Sequence, residues 1–123
     1  TLGPRNYLSA EHLSNHIQEA PAWIIAVLRN TATSHNPRAG SSIYGAVQNL
    51  ILAARAHGIG ATLTTLYSGH DDDIKELLGI PDDVMTMALI PLGYPNRGRW
   101  SQPVRLPVED VTHWGTWDNR KQR

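Results

Sequence analysis

Three short stretches hold residues whose types and spacing could bind a ligand. Arg97 and Arg99 stand on either side of Gly98 in the basic stretch NRGRW. That spacing lets two guanidinium forks converge on one phosphate. Thr64 and Thr65 follow a glycine turn at the end of a predicted strand, where hydroxyls and backbone N–H groups can hydrogen-bond the polar edge of a planar ligand. Pro91-Leu92-Gly93 offers a backbone that a flat ring can approach closely, because Gly93 has no side chain. Each stretch also has a plainer reading: a solvated basic loop, two ordinary β-formers and a turn.

Other groupings look reactive and fail on context. Gly58-Ile59-Gly60 suggests a dinucleotide fingerprint, but that motif needs a strand before the glycines and a helix after them. Here a predicted helix precedes and a strand follows, and position 63 is Leu. A helix C-terminal glycine followed by a tight turn explains the pair better. His12 and His16 have the spacing of two metal ligands on one helical face, yet no third ligand has matching spacing and Glu19 is poorly placed. His70 beside Asp71, Asp72 and Asp73 reads as compensation of a helix dipole by acids in the first turn. Serines, histidines and aspartates occur, but no G-x-S-x-G pattern marks a nucleophile.

The elements that must position these residues follow from punctuation and periodicity. Residues 1–7 read as a loop, and Ser9 as the cap of a helix that Pro21 ends. Residues 22–28 (AWIIAVL) form a continuous apolar run, predicted as a strand buried on both faces. Residues 30–40 read as a polar loop and a candidate lid. A helix from Ser42 to His57 follows, capped by Ser41 or Ser42 and closed by Gly58. Its side chains are apolar or small on nearly every side, which a chain of this size can hardly cover alone, so a second subunit is expected against it. Residues 61–66 are a second strand, residues 67–69 a turn, and Asp71 opens a helix that ends at Gly79. Residues 84–90 (VMTMALI) are a third buried strand, and residues 91–95 a rigid elbow. Residues 101–108 are extended and proline-marked, leading into a tail with Trp114 and Trp117. Strands alternating with helices suggest α/β or α+β layering.

Composition narrows the function classes. The 123 residues are expected to form a single domain, with 101–123 as an extended C-terminal tail. With 41% hydrophobic and 18% charged residues the chain is of globular type. Eleven basic residues balance 11 acidic ones, which argues against nucleic acid as the main partner. The absence of cysteine excludes disulfides, thiolate catalysis and cysteine-based metal sites. It also fits a reducing compartment, and a cytoplasmic location is expected. No stretch reads as a signal peptide or is apolar for long enough to span a bilayer, so no membrane partner is expected.

Four segments in order carry a resemblance: Ala46-Val47-Gln48-Asn49-Leu50-Ile51-Leu52-Ala53-Ala54-Arg55-Ala56-His57-Gly58-Ile59-Gly60, then Thr62-Leu63-Thr64-Thr65, then Leu78-Gly79-Ile80-Pro81, then Ile90-Pro91-Leu92-Gly93-Tyr94-Pro95. The chain resembles the C-terminal part of the nitroreductase family of FMN-dependent oxidoreductases, over roughly residues 20–99. The resemblance implies an α+β fold, incomplete at the N-terminus, and a homodimer formed through the helix from Ser42 to His57. FMN would lie at the dimer interface and NAD(P)H would be the hydride donor. Leu63, Thr64 and Thr65 would pass beside the flavin, Pro91, Leu92 and Gly93 would flank it, and Arg97 and Arg99 would reach its phosphate. The tail would embrace the partner subunit. The implied reaction passes hydride from NAD(P)H through flavin to a nitroaromatic, quinone or similar acceptor, and no catalytic side chain is required because the chemistry belongs to the flavin. The Arg-x-Ser-x-Arg-type segment with which family members grip the phosphate does not occur in these residues. The alternatives are a flavin-less remnant acting as a dimeric binding module and a specialised same-fold enzyme that processes flavin or removes halogen.

Overall fold

A three-stranded antiparallel sheet with one long helix laid across it forms the centre of the molecule. The computed structural model describes residues 4–29, 38–96 and 105–120. In chain order the elements are α1 (Pro4–His16), a 3-10 turn (Ile17–Glu19), β1 (Ala22–Arg29), α2 (Gly40–Ala56), β2 (Gly60–Ala61), α3 (Asp71–Leu78), β3 (Val84–Gly93) and a second 3-10 turn (Val108–Val111). The strand order is β1-β3-β2, and both pairings are antiparallel. Helices packed on an antiparallel sheet make the architecture α+β.

The core lies between α2 and one face of the sheet. Val47, Ala88 and Ile90 are its buried centre, with Ala26, Ile43, Leu50, Ile51, Ala61 and Leu92 packed around them. Positions 43, 47, 50 and 51 repeat at helical spacing and give α2 a single inward stripe. On β3 the alternate residues Ala88, Ile90 and Leu92 meet that stripe, as the period of two requires. Ile90 is fully buried.

The single chain does not cover α2 on every side, as expected for a chain of this size. Of the α2 residues only Val47 is fully buried. Gly45, Ala46, Asn49, Leu52, Ala53 and Ala56 face solvent on the opposite side. The 22–28 run is likewise a strand but not one buried on both faces. As β1 it sits at the edge of the sheet, and Trp23, Ile24 and Val27 are each more than a third exposed.

Several boundaries also move. Residues 4–7 belong to α1 and not to a loop, because a proline suits the first helical position, where the missing N–H would be unpaired anyway. Ser9 therefore lies inside the helix and not at its start. The helix gives way to the 3-10 turn at Ile17, before Pro21 is reached. Neither Ser41 nor Ser42 caps α2. The cap position is Ala39, without a side-chain bond, and the Ser41 hydroxyl donates backwards to the Arg38 carbonyl at 2.7 Å. The C-terminus follows expectation. Gly58 has φ +75°, its N–H donates to the Arg55 carbonyl at 3.0 Å, and the Ile59 N–H donates to the Ala54 carbonyl at 2.9 Å. That pair of bonds is a Schellman motif. In the tail, residues 108–111 form a 3-10 turn where an extended chain is predicted. Of the candidate lid at residues 30–40, residues 30–37 lie outside the described residues, as does the stretch 97–104, and Gly40 already belongs to α2.

Candidate functional site

The predicted elbow at residues 91–95 is corrected: Pro91, Leu92 and Gly93 are the last three residues of β3 and belong to the sheet. Trp23 pairs with Pro91 and Ala22 with Leu92 on one side, while Gly60 pairs with Gly93 and Ala61 with Leu92 on the other. The predicted strand 61–66 is shorter, reduced to β2 and an isolated bridge between Thr64 and Leu89.

One proline explains both departures. Thr64 and Leu89 exchange two backbone bonds, of 2.9 and 3.0 Å, so the Leu89 N–H points towards β2. In an antiparallel ladder the next residue of β3 pointing the same way is residue 91. Pro91 has no N–H to give. Thr62 stands opposite it by register, and there the ladder breaks, resuming at Ala61 and Gly60.

The same parity sets the polar edge of the site. Because the Thr64 N–H and carbonyl turn inward to Leu89, those of Leu63 and Thr65 turn outward, off the open edge of the sheet. The Thr65 carbonyl accepts the Ser68 N–H at 3.0 Å. The N–H groups of Leu63 and Thr65 have no hydrogen-bond partner among the described residues. Leu63 exposes its side chain beside them, whereas Thr64 is buried. The Thr64 hydroxyl accepts the Leu66 N–H at 3.2 Å, so its oxygen already serves the backbone turn.

An open groove of about 400 Å³ lies at the Pro91–Gly93 end of the sheet, lined by Glu19, Pro21, Thr62, Pro91, Gly93 and Tyr94 among others, and it stops short of Leu63, Thr64 and Thr65. A Cβ built on Gly93 would come within 3.2 Å of the Pro21 ring, so Pro21 occupies the side that a side chain would take and forms one wall. Pro21 is held there by the start of β1, where the Trp23 indole N–H donates to the Ala20 carbonyl at 3.0 Å. By register residues 63–65 run beside residues 88–90 of β3, while Pro91, Leu92 and Gly93 lie further along that strand, opposite Thr62, Ala61 and Gly60. Arg97 and Arg99 lie outside the described residues. No triad of metal-ligating side chains occurs among the described residues. The His12 and His16 rings lie 4.4 Å apart with a 31° tilt, and His16 pairs with Glu19 at 2.7 Å. His70 pairs with Asp73 at 3.1 Å.

Sequence reasoning overlooked a polar cluster on the α2 side of β3. The β1–β3 register shifts by one residue between Ala26 and Val27, which leaves Met87 as an extra residue in β3. The Tyr44 hydroxyl donates to the Met87 carbonyl at 3.1 Å, tying the start of α2 to that bulge. Its ring lies against Gly40, where a Cβ would stand 2.5 Å from Tyr44 Cε2. The neighbouring Thr86 hydroxyl donates to the Asp71 carboxylate at the head of α3. Tyr67 adjoins them. Burial pushes its phenol above the ordinary value, a hydrogen bond with Thr86 opposes this, and nearby Asp71 and Tyr44 add to it. A threonine in a strand gives no sign of such a role, because its partner lies 15 residues away in sequence.

The arrangement of sheet, long helix and glycine turn recurs in known proteins. The model of the nitroreductase family matches residues 4–94. A Methanothermobacter thermautotrophicus protein named "Putative NADH dehydrogenase/NAD(P)H nitroreductase" is 44% identical over 74 residues, which are 58% of this chain and 38% of that protein. Among solved structures, a mutant of the FMN and NADPH-dependent nitroreductase NfnB, derived from Sphigopyxis sp. strain HMH, superposes with a TM-score of 0.70 at 15% identity, over 92% of this chain and 51% of that one. Oxidised iodotyrosine deiodinase bound to FMN and 3-iodo-L-tyrosine superposes with a TM-score of 0.67 at 19% identity, over 95% and 61% of the two chains. At such identities the likeness is one of fold, and this chain spans about half the length of the NfnB structure. The family match takes in every element from α1 to the end of β3, and on that ground the chain belongs to the nitroreductase family.

Proposed function

We propose that the chain carries one side of the flavin site of an FMN-dependent oxidoreductase that passes hydride from NAD(P)H to a nitroaromatic, quinone or similar acceptor. The observation that carries this reading is the outward-facing pair of N–H groups at Leu63 and Thr65, set beside an apolar side chain on an open strand edge. A planar heterocycle with acceptors along one rim fits such an edge: the two donors meet its polar rim and Leu63 covers part of its face. Pro91 backs the edge by removing the rung that would pull Thr62 into the sheet, and Leu92 and Gly93 continue the same wall. Arg97 and Arg99 are the phosphate ligands in this reading. FMN, when bound, supplies the hydride chemistry, and the residues of this chain hold and orient it. Two proteins of similar fold, one FMN and NADPH-dependent and one bound to FMN, support the assignment.

The exposed side of α2 completes the reading. Gly45, Ala46, Leu52, Ala53 and Ala56 leave a smooth, weakly polar stripe that a second copy of the helix can approach closely. We assign the homodimer contact to this stripe. No helix among the described residues is long and apolar enough to cross a membrane.

Titration of FMN into the purified chain, followed by quenching of flavin fluorescence, tests the proposal. Quenching that saturates, and that weakens more in the Arg97→Ala/Arg99→Ala double variant than in either single one, is the expected result. A chain that leaves flavin fluorescence untouched discards the flavin reading in favour of a dimeric module without cofactor.

A further inference from the structure

The segment that follows the free edge is fastened to β3 at both ends. Its near foot is the Thr64–Leu89 bridge, with bonds of 2.9 and 3.0 Å. Its far foot is Asp71, whose carboxylate accepts the Thr86 hydroxyl. The two anchor points on β3, Thr86 and Leu89, are three residues apart, so residues 65–70 close into a short loop standing on one strand. Inside that loop the N–H groups of Leu66, Ser68, Gly69 and His70 are all bonded. The Leu66 N–H donates to the Thr64 hydroxyl at 3.2 Å, the Ser68 N–H to the Thr65 carbonyl at 3.0 Å and the His70 N–H to the Tyr67 carbonyl at 2.9 Å. The second carboxylate oxygen of Asp71 accepts the Gly69 N–H at 3.4 Å. Tyr67 fills the space beneath the loop, half-buried against Thr86.

We infer that Thr86 and Asp71 are positioning residues for the Leu63–Thr65 edge: their hydrogen bond is the foot that holds the closed loop, and through it the free N–H groups, in place. The inference rests on the flavin reading only for what the edge is for, and not for how it is held. A chain end fixed at Thr64 alone leaves Thr65 free to swing, because Thr65 and Leu66 make no further bond to the sheet among the described residues. Fixing Asp71 as well removes that freedom, since loop closure restricts every residue between the feet. The register shift that leaves Met87 as an extra residue lies next to Thr86, so the bulge that frees a carbonyl for Tyr44 also stands beside the far foot. Placing a foot beside a bulge is consistent with the usual role of bulges in re-aiming a side chain next to a site.

Amide hydrogen exchange reads this without any ligand. In Thr86→Val the amides of Leu66, Ser68 and His70 are expected to exchange about tenfold faster, with that of Ile24, opposite Ile90 in the β1–β3 ladder, unchanged. Thr86→Ser, which keeps the hydroxyl, is expected to restore the wild-type pattern. Asp71→Ala removes the foot from the other side, at a partly exposed helix start, and is expected to match Thr86→Val. Unchanged exchange at Leu66, Ser68 and His70 in both variants overturns the clamp, as does acceleration spread equally over the β1–β3 ladder. FMN titration of the same variants separates the two claims. If loop exchange rises while affinity for FMN stays that of the wild type, the clamp stands and the flavin reading of the edge falls.

Discussion

Tyr67 is the residue whose ionisation the fold alters most plainly. Its folded pKa lies above the unfolded value of 10.0, chiefly because burial disfavours the phenolate. A group raised in this way adds stability that is fully present below the unfolded value and is lost as pH climbs through the folded one. Denaturation midpoints measured from about pH 8 to about pH 11 should therefore fall at the alkaline end. In Tyr67→Phe that part of the fall should vanish. A wild type and a variant with the same alkaline slope would show that the phenol is solvated in both states. The sequence placed Tyr67 in a turn, which in the structure begins one residue earlier at Leu66, but could not show the burial. Its neighbours Thr86 and Asp71 come from distant stretches and are joined only by the path of the sheet. By contrast, the roles of Gly58 and Gly79 were legible in advance. Both have positive φ, +75° and +65°, where a glycine after the last helical residue is the local solution.

At the scale of elements, the sequence placed β1, α2, α3 and β3 close to their observed bounds, overextended the strand at 61–66, and missed what lies beyond a single element. The run 22–28 reads as a strand because it is short and β-branched, yet whether both its faces are covered depends on what sits beside it. The elbow at 91–95 was misread because proline is a turn signal. In β3 it persists as far as Gly93 because its missing donor falls on the side where β2 is interrupted. α2 shows the same division. Its apolar character was plain from sequence, but the inward stripe of Ile43, Val47, Leu50 and Ile51 is distinguished from the outward one only by contact with Ala88 and Ile90. This matters for testing the dimer. A charge at Leu50 would disturb the core of the single chain as well, whereas Ala53 is exposed. Ala53→Glu is expected to convert a dimer into a monomer, because an unpaired charge buried in a close helix contact costs several kcal/mol, on the order of 3–5. Light scattering that returns the same mass for Ala53→Glu and wild type would remove α2 from the interface.

For the molecule as a whole, the family and the α+β architecture were readable from four spaced segments, while the completeness of the sheet was not. Among the described residues the outer side of β1 pairs with no other strand. From Ala22 to Leu28 it carries neither a charge nor a proline. Two such rims can zip together in solution, each supplying the donors and acceptors that the other lacks. A net charge of zero offers no repulsion against such pairing, so the edge is expected to lower the solubility of the chain. A lysine at Val27, which is 40% exposed, should raise that solubility several-fold without altering the helical circular dichroism. Equal saturation concentrations for the two proteins would place the cause of precipitation elsewhere. A storage buffer for this protein is thus chosen by the bare flank of a single strand.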